Sequence, residues 1–411
     1  MLRMKRVRGW QLFVSCACFL SSSVAPAAER ELKVERVVML MRHGIRPPTK
    51  LQPIPVEYSP TPWPKWSTGP GLLTPHGAKG IALLAAADRA WFIQAGLWPA
   101  SGCPAPGRAM IRASKVPRAV ATAKAWSKSA LPRCHLTVQH PAKNAPDSLF
   151  HILQEQPAWF DGHRAYEDAL AQAPKGGLAG QAKELEAQVR RMEFVLGCAP
   201  PGCDLATDPT TLIEQPHNAP EFHGSLDAAS TASESFLLEY LQGMPMDEVG
   251  WGRVGRDEIE RLLVFNVTKF KYTDRPPYIA KGAAGPLAKA ILEALSAPTG
   301  PSVTLLAGHD TNIAALGGLL DMHWRAASYL PDDIPPGSAL GFELLSDGNR
   351  RQIVRAFFRS QTMDQLRNLE PLGAANPPHR EYVSIPGCGR AEDPRSCDLK
   401  TFTKIVEAKL Q

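Results

Sequence analysis

Residues 37–50 read VVMLMRHGIRPPTK. A run of apolar, strand-forming residues breaks off at Arg42-His43-Gly44, with Arg46 two residues further on and Pro47-Pro48 behind it. Arginine is costly to bury and rarely sits at the tip of an apolar strand without an anion to pair with. The stretch therefore predicts a buried strand, Val34 to Met41, whose end offers two guanidiniums and an imidazole to an anionic ligand.

Downstream, Leu51 to Pro70 is irregular and proline-rich. Its Trp63 and Trp66 either line a cleft or pack the loop. Thr74-Pro75 reads as an N-cap followed by proline at the first helical position, opening a helix towards Ala95. Ala109 to Ala113 reads as a short strand, and Pro117 opens a helix running from Arg118 to Ala130. The middle of the chain changes character. His163 to Leu196 and Leu226 to Gln242 have helical composition and spacing, so residues 141–255 are expected to form a mostly α-helical cap. Ser302 to Ala307 (SVTLLA) is again strand-like, and Asp310-Thr311-Asn312 leads into a helix over Ile313 to Leu320. Gly341 to Leu345 and Gln352 to Arg359 flank Asp347-Gly348-Asn349 as a β-hairpin. Strand, loop and helix recurring around one sheet, with a helical excursion, predict an α/β sandwich.

The chain has 411 residues, 44% hydrophobic and 21% charged, which is ordinary for a soluble globular protein. Arg3, Lys5, Arg6 and Arg8 precede an apolar run from Trp10 to Val24, and Ala25-Pro26-Ala27 supplies small residues. Together these read as an export leader over residues 1–27, cleaved after Ala27 or Ala28. Those four cations, with no acid among them, account for much of the net charge of +6, which falls to +2 without them. That balance gives no case for nucleic-acid binding. Beyond the leader six cysteines remain, an even number that favours disulfides in an exported chain. The most local of the pairings they allow is Cys103–Cys134, Cys198–Cys203 and Cys388–Cys397. No Cys-x-x-Cys occurs and no histidine stands at ligand spacing beside them, so no metal is expected and chelators should have no effect.

Three places share one layout, in which a strand ends, polar or basic residues follow and a helix begins. They are Arg42 to Arg46, the stretch around Arg118, and Gly308-His309-Asp310. If their strands are parallel neighbours, the tips converge in the crevice where open α/β sheets bind ligands. Arginine forks match phosphate oxygens, and helix N-termini add N–H donors. A neutral imidazole can attack phosphorus, and an acid must protonate the departing alkoxide. His43, flanked by Arg42 and Arg46, suits the nucleophile. Asp310 suits the acid, acting while mildly acidic conditions keep it protonated.

RHGIRPPTK and AGHDTN resemble the two signatures of the histidine acid phosphatases (branch 2 of the histidine phosphatases), above all the bacterial periplasmic branch of phytases and glucose-1-phosphatase. Arg42 to Pro48 matches RHG-x-R-x-P at every fixed position, and His309-Asp310 matches the HD pair. QGMPMDEVGWGR (residues 242–253), the GCP at 102–104 and the closing cysteine pair also fit, so the resemblance runs from about Val34 to Cys397. It implies a three-layer α/β sandwich of the phosphoglycerate-mutase type over residues 28–140 and 256–411, with the cap inserted. It implies a periplasmic or secreted acid phosphomonoesterase that needs no cofactor or metal and takes a small phosphate monoester, phytate among the candidates. His43 would be nucleophile, Arg42, Arg46, Arg118 and His309 phosphate ligands, and Asp310 proton donor. Lys50 and Thr311 would touch substrate. The family's acidic stretch before the third arginine is replaced here by Ser114-Lys115-Val116-Pro117, and Arg112 is the alternative to Arg118. Other readings are a glucose-1-phosphatase-like sugar phosphatase and a non-catalytic binder of phosphorylated ligands. Glu234 lies in a helical run of the cap and either faces the cleft or, as the safer reading, lies on the surface, and His76, His163 and His223 are read as surface or satisfied groups.

Overall fold

The computed structural model describes residues 32–198, 203, 205–391 and 393–411, so the leader lies outside the described residues. The N-terminal part holds β1 (Lys33–Arg42), α1 (Pro75–Gln94), β2 (Ala109–Ala113) and α2 (Pro117–Ala130). The middle holds α3 (Gly162–Leu170), α4 (Gly177–Glu184), α5 (Glu186–Leu196), a small antiparallel ribbon of β3 (Thr211–Ile213) and β4 (Glu221–His223), then α6 (Ser225–Leu241), α7 (Arg256–Leu262) and α8 (Val264–Thr273). The rest is α9 (Pro277–Ser296), β5 (Val303–Gly308), α10 (Asp310–Leu319), β6 (Ala339–Ser346), β7 (Gln352–Ser360), α11 (Met363–Arg367), β8 (His379–Val383), β9 (Ser396–Asp398) and α12 (Leu399–Leu410).

β1 reads as an unbroken apolar run because both of its faces are buried. Val37, Met39 and Met41 pack with Ile81 and Phe92 of α1 and Trp126 of α2. Val38 and Leu40 face the other way, into a cluster that includes Leu287 and Ile291 of α9 and Phe402 of α12. The result is a sheet between two helical layers, in the order β2-β5-β1-β6-β7-β8, with β9 on β7. β1, β5 and β2 are parallel neighbours, while β6 returns antiparallel to β1 and begins a run of antiparallel strands.

Strand register brings the polar tips together. Arg42, the last residue of β1, stands opposite Gly308, the last of β5, and Ala113, the last of β2, stands opposite Ala307. The three strands end level, so His43, Ser114 and His309 leave the sheet side by side. Gly44 lets the chain turn there. A Cβ on it would lie 2.8 Å from Leu73 and 2.9 Å from Ile81, closer than packed carbons come.

The apolar cluster beneath α9 and α12 continues into Phe236 of α6, Phe265 of α8 and Met192 of α5. α7 and α8, which follow the helices of the middle part, pack on α6. The disulfides join Cys103 to Cys134, Cys198 to Cys203 and Cys388 to Cys397.

One buried ion pair ties sheet to helices. Arg359 of β7 donates to Asp88 of α1 at 2.9 Å, and Trp126 Nε1 of α2 donates to the same carboxylate oxygen at 2.8 Å. Removing one partner of such a pair strands a buried charge. Asp88→Ala should lower the unfolding free energy by about 3–5 kcal/mol, read from a denaturant midpoint, with the denaturant slope unchanged.

Candidate active site

The level strand tips gather most of the residues singled out in the sequence. Arg42 and His43 are 1% exposed and His309 is 3% exposed. The rings of His43 and His309 stand edge-on at 5.5 Å between centroids. His43 Nδ1 lies 2.9 Å from the carbonyl oxygen of Gly44. A carbonyl only accepts, so Nδ1 carries the proton and Nε2 keeps a free lone pair. Burial, and then the guanidiniums of Arg46, Arg118 and Arg42, hold the His43 pKa well below the usual histidine value. Both effects disfavour the imidazolium and leave Nε2 as the nucleophilic atom.

Arg42 is locked from several sides. It donates to the carbonyl of Ile334 and to Glu234, and its Nη2 meets Asp310 Oδ2 at 2.9 Å. Arg118 enters from the first turn of α2, where the helix dipole disfavours a cation. Its Nη2 reaches His309 Nδ1 at 3.3 Å. Burial lowers the Arg118 pKa to about 10, with Arg46 adding repulsion. The buried Nε–H groups of Arg42, Arg46 and Arg118 have no protein acceptor. Guanidiniums that crowd together, repel one another and keep donors in reserve are arranged for an anion from outside. The N-terminus of α10, at Asp310, adds its dipole at the same place. Arg112, the alternative third arginine, lies within β2, and its backbone bridges to Gln139.

Asp310 departs from expectation. Burial pushes its carboxyl up, but Arg42, Arg46 and His309 outweigh that and pull it down to about 2. Mild acid alone does not protonate it against that field. An anion that cancels the surrounding positive charge removes the cause of the depression.

Of the two readings of Glu234 the structure has the cleft-facing one: its side chain is 14% exposed, it pairs with Arg42, and it accepts from Asn266 Nδ2 at 2.9 Å. The cap thus supplies a carboxylate to the innermost arginine. Two further groups had no sequence signal. His151 Nε2 lies 3.0 Å from His309 Nε2 and 3.0 Å from Ser114 Oγ. Asp333 is buried beside Arg42 and pushed up to about 7, by burial and then by Glu234. His76 is satisfied by the Leu366 carbonyl at 2.9 Å, and His163 and His223 pair with exposed glutamates.

Above this floor opens a cleft of about 380 Å³ between the loop after β1 and the cap. Arg46, Lys50, Asp310 and Thr311 line one side, and Asp227, Thr231 and Glu234 of α6 with Asn266 and Lys269 of α8 line the other. Lys50 and Thr311 therefore both line this cleft. Trp63 stacks on Phe236 and meets Trp251 edge-on, and Trp63 and Trp66 line a neighbouring groove beside Lys50. Among the described residues no group of His, Cys, Asp and Glu has metal-holding geometry, and no helix is long and apolar enough to cross a membrane.

Residues 33–190 and 264–359 match the family described as histidine phosphatase superfamily (branch 2). The chain is 33% identical to the phytase AppA of Escherichia coli K12, over 93% of this chain and 94% of that protein. It is 29% identical to a glucose-1-phosphatase of Salmonella typhimurium, over 96% and 97%. Among solved structures, the Citrobacter braakii phytase superposes with a TM-score of 0.85 at 30% identity, covering 92% of this chain and 98% of that one. The Hafnia alvei phytase in complex with myo-inositol hexakis sulphate does so with a TM-score of 0.85 at 31% identity, covering 94% and 98%.

Proposed function

The chain belongs to branch 2 of the histidine phosphatase superfamily and is a phosphomonoester hydrolase. From that premise we propose that it works through a phosphohistidine on His43, with Asp310 as proton donor and phytate among its substrates. One observation carries the reading: a neutral, buried His43 with a free Nε2 lies under three arginines whose spare N–H donors have no protein acceptor.

The phosphoryl oxygens take those donors, with His309 and the α10 N-terminus beside them. Nε2 of His43 attacks phosphorus, the P–O bond to the leaving group breaks, and the proton of Asp310 goes to the departing alkoxide. The bound phosphate dianion offsets the field of Arg42 and Arg46, so Asp310 takes up its proton as substrate binds. Water then attacks the phosphohistidine, Asp310 receives the water proton, and the P–N bond breaks. The arginines neutralise charge throughout, which is the main need of phosphoryl transfer.

The leader, together with three disulfides, supports work outside the cytoplasm. The α/β body is residues 28–140 with the C-terminal part of the chain, and the cap lies between.

Phytate fits a cleft with Arg46 at its base and Lys50 and Lys269 on its walls. A sugar phosphate is the second reading, and one contact favours it. Lys269 Nζ is held by Asp227 Oδ1 at 2.6 Å, so one of the two wall lysines is already neutralised. Phosphate release from phytate, glucose-1-phosphate and p-nitrophenyl phosphate, assayed in parallel at mildly acidic pH, tests the substrate. Lys50→Ala should raise KM for phytate about two- to fivefold, the worth of one exposed charge pair, and leave p-nitrophenyl phosphate unmoved. An equal rise on both would place Lys50 at the reacting phosphoryl group instead.

A further inference from the structure

His309 is confined on both ring nitrogens. On one side Arg118 Nη2 stands 3.3 Å from Nδ1. On the other, Nε2 has Ser114 Oγ at 3.2 Å and His151 Nε2 at 3.0 Å. Ser114 Oγ and His151 Nε2 are themselves 3.0 Å apart, which closes a triangle behind the ring. Guanidinium only donates, so Nδ1 accepts from Arg118 and the single proton of the neutral ring sits on Nε2. That arrangement is wrong for a phosphate ligand. Nε2 is turned into the triangle, so a phosphoryl oxygen is left with Nδ1, which must then carry a proton. Nε2 must in that case accept one.

We propose that His151 is a positioning residue that sets which nitrogen of His309 bears the proton. With Arg118 on Nδ1, His309 Nε2–H donates to His151 Nε2. With phosphate bound, His151 Nε2–H donates to His309 Nε2, and His309 Nδ1–H donates to a phosphoryl oxygen. Each ring keeps one proton throughout, each moving its own between nitrogens by exchange with water, to which the half-buried His151 is open. Ser114 supports either state, since its hydroxyl both donates and accepts. This inference rests on His309 being a phosphate ligand.

Burial, with Arg118, Lys115 and the neighbouring His309, outweighs Asp147 and Glu155 and holds the His151 pKa below the usual histidine value, so its second proton arrives only at lower pH. Lys115 Nζ is tied to Glu155 at 2.8 Å, and Asp147 accepts from the Lys115 and Phe150 backbone N–H groups. A His151 that gains a second proton can only donate from Nε2, which fixes His309 in its phosphate-binding form. Phosphate affinity should therefore rise as pH falls through the titration of His151, apart from any change in substrate ionisation.

The test is inhibition by inorganic phosphate, measured against pH on the full mature chain. His151→Phe keeps a ring and removes the hydrogen bond. The Ki for phosphate and KM for p-nitrophenyl phosphate should rise together, about tenfold, as for one lost charge-assisted bond. His151→Gln offers an amide N–H to His309, so it should restore the affinity while abolishing its pH dependence. An unchanged Ki in His151→Phe overturns the proposal, as does a pH profile in His151→Gln that matches the unaltered enzyme. If His151→Phe does not fold, the profile of His151→Gln decides alone. His309→Ala separates the two layers: a Ki unmoved by that change removes His309 from the phosphate site, whatever His151 does.

Discussion

His43→Ala should lose phosphate release from every monoester by at least about 10⁴-fold, the scale on which enzymes lose a covalent nucleophile. The reason is the combination of a pinned Nδ1–H, a free Nε2 and a field of guanidiniums that keeps the ring neutral. No other group at the strand tips has all three. His309 has both nitrogens engaged, and the Ser114 hydroxyl is shared with two imidazoles. Rapid quenching of the unaltered enzyme with a labelled monoester should capture a phosphorylated protein, with the label on the peptide holding residue 43. His43→Ala should show no label. The variant should still bind inorganic phosphate, since the arginines remain. Turnover above about one per cent of the parent would move the nucleophile elsewhere.

Asp310→Asn should separate substrates by their leaving groups. An alkoxide leaves poorly unless protonated, whereas p-nitrophenolate leaves unaided. The variant should lose about 10²–10⁴-fold on alkyl phosphates and much less on p-nitrophenyl phosphate. The substitution also removes a negative partner from Arg42, which keeps Glu234. Phosphate should consequently bind the variant no more weakly than the parent. Equal losses on both substrates would argue that Asp310 serves the arginines rather than the leaving group.

Much of the floor was legible because it depends on strand ends. An apolar run stopping at Arg42-His43 and another stopping at Gly308-His309 fixed where both imidazoles emerge, and parallel register did the rest. Arg118 could be placed because Pro117 marks the start of its helix. What escaped arrives from elements that carry no punctuation. Glu234 reaches Arg42 across the cap interface, and helical spacing says nothing of a partner 192 residues away. A trace was there, since Asp227, Thr231 and Glu234 form a polar stripe on an otherwise buried helix. His151 sits in an irregular segment between α2 and α3, where no period applies. The depressed pKa of Asp310 depends on three-dimensional crowding of cations, which order along a chain does not give.

β1 is flanked in the sheet by β5 and β6, and Val37 pairs with Val303 on one side and Glu343 on the other. The strand made first, ending at Arg42, thus has no sheet neighbour until β5 begins at Val303, about 260 residues later. Closing a loop that long is paid for before any contact rewards it, and such topologies fold slowly. The centre of the molecule cannot form early. His43, at the tip of that strand, therefore takes its place beside His309 only once most of the chain has been made.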